Sequence, residues 1–281
     1  MIYWTDLRVG KVYSLKADGG DLNQKVILEG DLGAPEGLAY DWIHNNLYVS
    51  DFRHHKIMVI NPDTGAKKTL LTDVHEARDV EVDPKTGWLY WIAGWDETAV
   101  LMKSTLDGQN QVVISSDLDR PLSLSLDYDE QKLYWTEVPP VNRIKSIRVD
   151  GGNLTTVRRV GGGLRASPPK YITVSRDYIY WNQGHEIIRR SDKQRATRST
   201  RYRNLEDRGY YGITNNLFMG ILAIDPRKQT DSPSLCGDNN GGCSHFCLPT
   251  LIHSTPSYNC ACPDGMNLMD DNSTCSDETL N

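Results

Sequence analysis

The chain has 281 residues, 38% hydrophobic and 24% charged, with a formal net charge of −6 at pH 7. Charge of both signs in that balance leaves no footprint for a nucleic-acid partner, which calls for a dense basic face. No run approaches the roughly 20 apolar residues of a membrane-spanning helix, and no basic segment leads into an apolar one at the N-terminus, so no secretion signal is read there.

From the first residues onward a short motif recurs. Ile2-Tyr3-Trp4-Thr5-Asp6 is followed by Leu47-Tyr48-Val49-Ser50-Asp51 and Leu89-Tyr90-Trp91-Ile92-Ala93. Leu133-Tyr134-Trp135-Thr136-Glu137 and Ile179-Tyr180-Trp181-Asn182-Gln183 complete the series. The tyrosines at 3, 48, 90, 134 and 180 stand 42 to 46 residues apart, a spacing that marks a repeat architecture. Each copy is strand-prone and closes on a polar residue. With 14 Tyr and 7 Trp against 3 Phe, the aromatics suit packed strands whose ring edges reach hydrogen-bond partners.

Each repeat reads as four strands. An apolar run ends in aspartate seven residues before the tyrosine, in Leu38–Asp41, Val80–Asp83 and Leu124–Asp127. The aromatic strand follows. A third strand runs into a turn: Lys56 to Asn61 before Asp63-Thr64-Gly65, Leu101 to Leu106 before Asp107-Gly108, Arg143 to Val149 before Asp150-Gly151. Glycine there accepts the positive φ that tight hairpins require. Lys25–Leu28, Lys67–Leu71, Gln111–Ile114 and Leu154–Val157 are the predicted fourth strands. Four antiparallel strands per unit of about 44 residues fit a β-propeller blade. The motif aspartates, Asp6 and Asp51, are expected to hold neighbouring turns rather than to catalyse. Where Ala93, Glu137 or Gln183 replaces them, that bond must be weakened or rerouted.

Residues 186–208 interrupt the pattern with eight basic and four acidic side chains, readable as a patch for an acidic partner or as a solvated outer strand and loop. Leu217–Leu222 follows as a further apolar strand. Positions 1–235 contain no cysteine, and then Cys236, Cys243, Cys247, Cys260, Cys262 and Cys275 arrive together. Such density reads as a disulfide framework formed in an oxidising compartment; the spacings do not fit paired zinc knuckles. Six cysteines allow 15 connectivities, among which sequence cannot choose. The predicted layout is a β-repeat region over 1–230, a cysteine module over 231–275 and a tail over 276–281.

The motif Ile2–Asp6, the lead-in Pro35-Glu36-Gly37-Leu38-Ala39-Tyr40-Asp41-Trp42-Ile43-His44-Asn45-Asn46-Leu47-Tyr48 and the cysteine module together resemble the low-density-lipoprotein receptor family. The likeness runs from residue 2 to Cys275. It implies an all-β fold, a six-bladed-type YWTD propeller followed by an epidermal-growth-factor-like module. About five blades would be present, the first incomplete, with roughly one blade and one strand upstream of Met1. For the module it implies the bridges Cys236–Cys247, Cys243–Cys260 and Cys262–Cys275. Calcium-binding versions carry acidic residues just before the first cysteine; Asp231-Ser232-Pro233-Ser234-Leu235 lacks that pattern, so no calcium site is expected in the module.

The resemblance also implies an extracellular, endocytic part of a larger membrane receptor, trafficking through endosomes. Its partners would be protein ligands or lipoproteins, or the acidic calcium-binding modules of the same receptor. Carried over position by position, the family's docking face falls on Trp95, Arg120, Asn142 and Pro168, and on Leu164 beside Arg165. Only Trp95 keeps its residue type, so the family's acid switch is not expected in its known form. His54-His55, flanked by Arg53 and Lys56, is the alternative pH-sensing candidate, since histidine changes charge between about pH 5 and 8. Adjacent charges would make such a pair harder to protonate. His44 is expected to pack or cap within its turn. Asn153-Leu154-Thr155 and Asn272-Ser273-Thr274 are glycosylation acceptors.

Two other function classes share this fold. A matrix or Wnt-co-receptor-like propeller would differ only in partner. A calcium-dependent propeller hydrolase would gather inward Asp, Asn and Glu around its ion, whereas the aspartates here recur at equivalent strand ends. No nucleophile or phosphate-loop motif is present. The expectation is a non-catalytic chain with no cofactor and no metal site.

Overall fold

The computed structural model describes residues 1–16, 24–160, 167–183, 187–193, 199–203 and 227–277. The strand expected at Leu217–Leu222 lies outside them, as do Arg165, Leu164 and residues 186, 194–198 and 204–208 of the basic run.

Among the described residues, five antiparallel meanders follow one another. β1 (Ile2–Asp6), β2 (Lys11–Leu15) and β3 (Lys25–Leu28) form a three-stranded sheet. Four four-stranded sheets come next. The first contains β4 (Pro35–Asp41), β5 (Asn46–Asp51), β6 (Lys56–Ile60) and β7 (Lys67–Leu71). The second contains β8 (Asp79–Asp83), β9 (Trp88–Ala93), β10 (Val100–Thr105) and β11 (Val112–Ser115). β12 (Pro121–Asp127), β13 (Lys132–Glu137), β14 (Arg143–Arg148) and β15 (Thr155–Arg159) form the third. β16 (Pro169–Val174), β17 (Tyr178–Gln183), β18 (Ile187–Asp192) and β19 (Ser199–Arg203) form the fourth. Each first strand pairs only with the second, and each fourth strand is an edge.

The strands differ from expectation mainly at their ends. β4, β12 and β16 begin at a proline, and the register slips between it and the third residue on, between Pro35 and Leu38, Pro121 and Leu124, Pro169 and Ile172. A bulge accommodates the missing proline N–H. β11 and β15 start one residue later than predicted because the turn uses the residues before them: the Gln111 amide donates to Gly108 O, and the Thr155 hydroxyl to Asn153 O. Gly65, Gly108 and Gly151 have φ of 74°, 83° and 90°, as hairpin turns demand.

By contacts the chain forms two compact units. One comprises Met1–Gly94, Leu101–Val113 and Asp231–Asn281; the other Trp95–Val100 and Ile114–Thr230. In the first, Val12, Leu28, Leu47, Val49, Met58 and Ile60 form a core between successive sheets. In the second, Tyr134, Ile144, Ile172, Val174 and Trp181 do the same. Burial on both faces explains the unbroken apolar runs of β5 and β6, in place of alternation.

The residue after the second aromatic position ties sheets together. Thr5 Oγ1 donates to Glu36 O at 3.3 Å, Ser50 Oγ to Arg78 O at 3.1 Å, and Thr136 Oγ1 to Lys170 O at 2.6 Å. Glu36 and Lys170 are the second residues of β4 and β16, and Arg78, at the equivalent place, directly precedes β8. Ser50 and Thr136 also accept from their own first strand, from Gly37 N at 2.9 Å and Ser123 N at 3.3 Å. Gly37 is required by close approach: a Cβ there would stand 2.7 Å from Asp79 Cα and Val80 N.

The cysteine module contains β20 (Phe246–Ile252), β21 (Thr255–Ala261), β22 (Met266–Leu268) and β23 (Cys275–Asp277), paired as two hairpins. Its bridges join Cys236 to Cys247, Cys243 to Cys260 and Cys262 to Cys275. The module belongs to the first unit and touches its strand-end turns. Asn259 Nδ2 donates to Asp107 Oδ2 at 2.8 Å. The loop after Cys262 lies along the β7 edge: Asp264 N donates to Lys67 O at 2.9 Å, and Thr69 N and Oγ1 donate back to the Asp264 carboxylate.

Candidate functional site

In the first unit, the turn between β5 and β6 carries Asp51 and the two candidate histidines. Asp51 is fully buried. Its carboxylate accepts from Gly33 N at 2.8 Å and Ala34 N at 2.9 Å, and from Arg53 N and His54 N at 3.2 Å. Burial pushes this carboxyl up, but the backbone donors and the His54 ring outweigh it and hold it below its ordinary value. His54 Nδ1 lies 2.9 Å from Asp51 Oδ2, with the side chain 48% exposed. The ring facing His55 is that of His75, with centroids 5.0 Å apart, and His55 Nδ1 accepts from Glu76 N at 3.4 Å. His55 thus has its histidine neighbour across the β7–β8 loop, not next door in sequence. His44 caps and packs in its own turn, its N–H donating to Asp41 and Nδ1 2.7 Å from Asp41 Oδ2.

Next to this turn, two acidic groups flank Arg78. Its guanidinium is 3.7 Å from Glu36 and 3.8 Å from Glu76, and lies over the Phe52 ring at 5.0 Å. Burial pushes the Glu36 carboxyl up to about 7; Arg78 opposes that rise, while Asp79 and Glu76 add to it. A carboxyl pushed up this far by burial and like charge makes Glu36 a candidate proton-responsive group of the unit. Sequence reasoning missed it, although a signal exists: Glu36 and Arg78 occupy equivalent positions of successive repeats with opposite charge.

In the second unit, Trp95 begins a single 3₁₀ turn (Asp96–Thr98) and is half-buried. Its N–H donates to Thr98 Oγ1 at 3.1 Å, which donates back to Trp95 O at 2.7 Å. Arg120 pairs with Asp96 through Nε and donates to Pro139 O at 3.0 Å. The hydrogen bond and charge of Asp96 push the Arg120 guanidinium up. Asn142 holds the β13–β14 turn at φ 44°, its carbonyl accepting from Val160 N at 2.7 Å. Trp95 and Arg120 are therefore brought together through Asp96.

Glu137, which replaces the motif aspartate in this unit, keeps its structural bond. Asp119 N donates to Glu137 Oε1 at 3.1 Å, eighteen residues back, as Gly33 does to Asp51. The longer side chain is rerouted to take further partners, Trp135 Nε1 at 3.0 Å and the Arg143 guanidinium. Lys145, buried where β6 has Met58, donates to Asp117 O at 2.7 Å and Oδ2 at 2.9 Å. A buried ammonium is tolerated only with such partners. Asn153 is exposed in the β14–β15 turn, and Asn272 is exposed in a turn of the cysteine module.

Successive four-stranded antiparallel sheets, tied at their turns by strand-end carboxylates and ion pairs, are the build of a β-propeller. Residues 1–42 match the low-density lipoprotein receptor repeat class B, and residues 236–275 match the coagulation factor Xa inhibitory site, a disulfide-rich module. The vitellogenin receptor of Drosophila melanogaster is 30% identical over 98% of this chain, which spans 13% of that receptor's length. The chain is thus similar to the low-density-lipoprotein receptor family, in its opening repeat and along nearly its whole length. A chain of a nidogen/laminin complex crystal structure shares the fold, with a TM-score of 0.64, 22% identity, and coverage of 73% of this chain and 76% of that one. A gluconolactonase from Xanthomonas campestris shares it at a TM-score of 0.57 and 18% identity, covering 72% of this chain and 71% of that one. The hydrolase likeness is one of fold alone, and the relative matched along the sequence is a receptor. Among the described residues, no helix is long and apolar enough to cross a membrane.

Proposed function

We propose that this chain is the ligand-engaging propeller and following module of an endocytic receptor, exposed outside the cell and carried into endosomes. Its ligands are proteins or lipoproteins, and its own receptor's acidic calcium-binding modules are internal partners. The reading rests on the 30% identity to the vitellogenin receptor, which extends over 98% of the chain. The contact residues are Trp95, Arg120, Asn142 and Arg165. The proton-sensitive groups are His54 against Asp51, His55 against His75, and Glu36 among Arg78, Glu76 and Asp79. Residues 1–230 and 231–275 act as propeller and module, and Asn153 and Asn272 accept glycans.

The test is binding of the chain to a calcium-loaded acidic repeat of the receptor's ligand-binding type, at pH 7.4 and pH 5.5. Affinity several-fold tighter in acid, reduced in Arg120→Ala and Trp95→Ala, is expected. Equal affinity at both pH values sinks the release role. A second reading, a propeller that engages an extracellular-matrix protein, draws on the likeness to a chain of a nidogen/laminin complex; it gains if the acidic repeat fails to bind at either pH.

A further inference from the structure

A cleft of about 580 Å³ lies between the cysteine module and the turns of the first unit, within the size range of ligand-sized clefts, about 300–1,000 Å³. Lys68 and the turn residues Asp107 and Gln109 line one side; Tyr258, Leu268 and Asn272 line the other. Tyr258 and Leu268 are 36% and 40% exposed. The lining joins an aromatic ring to a carboxylate, an amide and an ammonium. That combination suits a carbohydrate, whose C–H face covers a ring while its hydroxyls bond to polar groups. One lining residue, Asn272, is also the acceptor of the triplet Asn272-Ser273-Thr274.

We propose that Asn272 carries an N-linked glycan whose first sugars lie in this cleft and hold the module against Lys68, Asp107 and Gln109. The co-reactant is a polyisoprenyl-diphosphate-linked oligosaccharide. Asn272 Nδ2 bonds to the anomeric carbon as its C–O bond to the diphosphate breaks; the lipid diphosphate leaves and one amide proton is lost. Transfer precedes folding, because in the folded turn Thr274 Oγ1 is bonded to Asp271 Oδ2 at 2.6 Å. Asn153 is the internal control. It sits on an exposed turn, so a glycan there stands in solvent.

This proposal rests on the extracellular reading, and the experiment separates the two. The chain, with a secretion signal added, is secreted from mammalian cells, and glycopeptide mass spectrometry measures occupancy at both asparagines. Native deglycosylation by a peptide N-glycosidase is then followed in time, with hydrogen exchange before and after. Removal at Asn272 about ten-fold slower than at Asn153 is expected, with faster exchange in Lys67–Leu71 and Thr255–Ala261 afterwards. After denaturation the two sites are trimmed at equal rates. Enzymatic removal leaves aspartate, which tolerates the φ of 54° at this position, so the comparison does not depend on a variant that fails to fold; Asn272→Asp serves as its genetic equivalent. A glycan at Asn153 with a bare Asn272 overturns the cleft proposal alone. Bare asparagines at both sites overturn it together with the glycosylated-receptor reading. An occupied Asn272, trimmed as fast as Asn153 with unchanged exchange, also overturns it.

Discussion

Glu36 lies where a carboxylate is least comfortable, at the start of an inner strand with Asp79 and Glu76 close by and a single guanidinium in opposition. Its folded pKa, raised from 4.5 to about 7, means that the folded chain binds more protons than the unfolded one across that window. The stability that this group contributes is therefore fully present below pH 4.5 and is lost as pH rises through 7. Glu36→Gln should flatten that slope and gain about 1–2 kcal/mol at pH 7.5 relative to wild type, as read from urea unfolding at pH 5 and 7.5. An unchanged slope would assign the proton uptake to another group. Asp51 has the opposite sign. Its depressed pKa gives stabilisation that is complete above the ordinary value and is lost as pH falls through the lower folded value. Asp51→Ala strands four backbone donors and should cost about 2–4 kcal/mol at neutral pH, with a shallower acid limb in a pH titration of Tm.

Neighbouring sheets hold to one another through a hydroxyl that three of the five repeats supply at one place, Thr5, Ser50 and Thr136. Thr136→Val keeps the shape but removes the donor to Lys170 O and the acceptor for Ser123 N. About 2 kcal/mol should be lost, visible as a lower Tm, and Thr136→Ser should recover most of it. The strands themselves were legible because Tyr3, Tyr48, Tyr90, Tyr134 and Tyr180 carry their period openly. The role of Thr5, Ser50 and Thr136 was not, because a hydroxyl between an aromatic and an aspartate gives no sign of which strand it faces. Glu137 was recognised as a departure from the motif, but its extra methylene, which brings in Trp135 and Arg143, acts through contacts set only once β13 and β14 pair. At the site, Trp95 and Arg120 were found by resemblance. Asp96, which joins them, and Glu36 with Arg78 were missed because their partners come from different repeats.

At the scale of the molecule, sheets and module do not divide as the composition does. The cysteines begin abruptly at 236, yet Asn259 and Asp264 bind the module to Asp107 and to β7, so the first unit includes it. No spacing rule announces such contacts between residues 152 and 195 positions apart. The Cys262–Cys275 bridge closes the loop that contains Asp264. Cys262→Ser combined with Cys275→Ser should cost about 2–5 kcal/mol and speed amide exchange along β7; stability and exchange both unchanged would show that the loop holds its place without the bridge. The consequence reaches beyond stability. β7 is an edge strand, and Lys67 O and Thr69 N point outward, where another chain could pair with them. The bridged loop occupies those groups. In a reducing compartment the loop would loosen and leave a row of unpaired backbone, so the oxidising environment that forges the module also keeps the neighbouring sheet from templating aggregates.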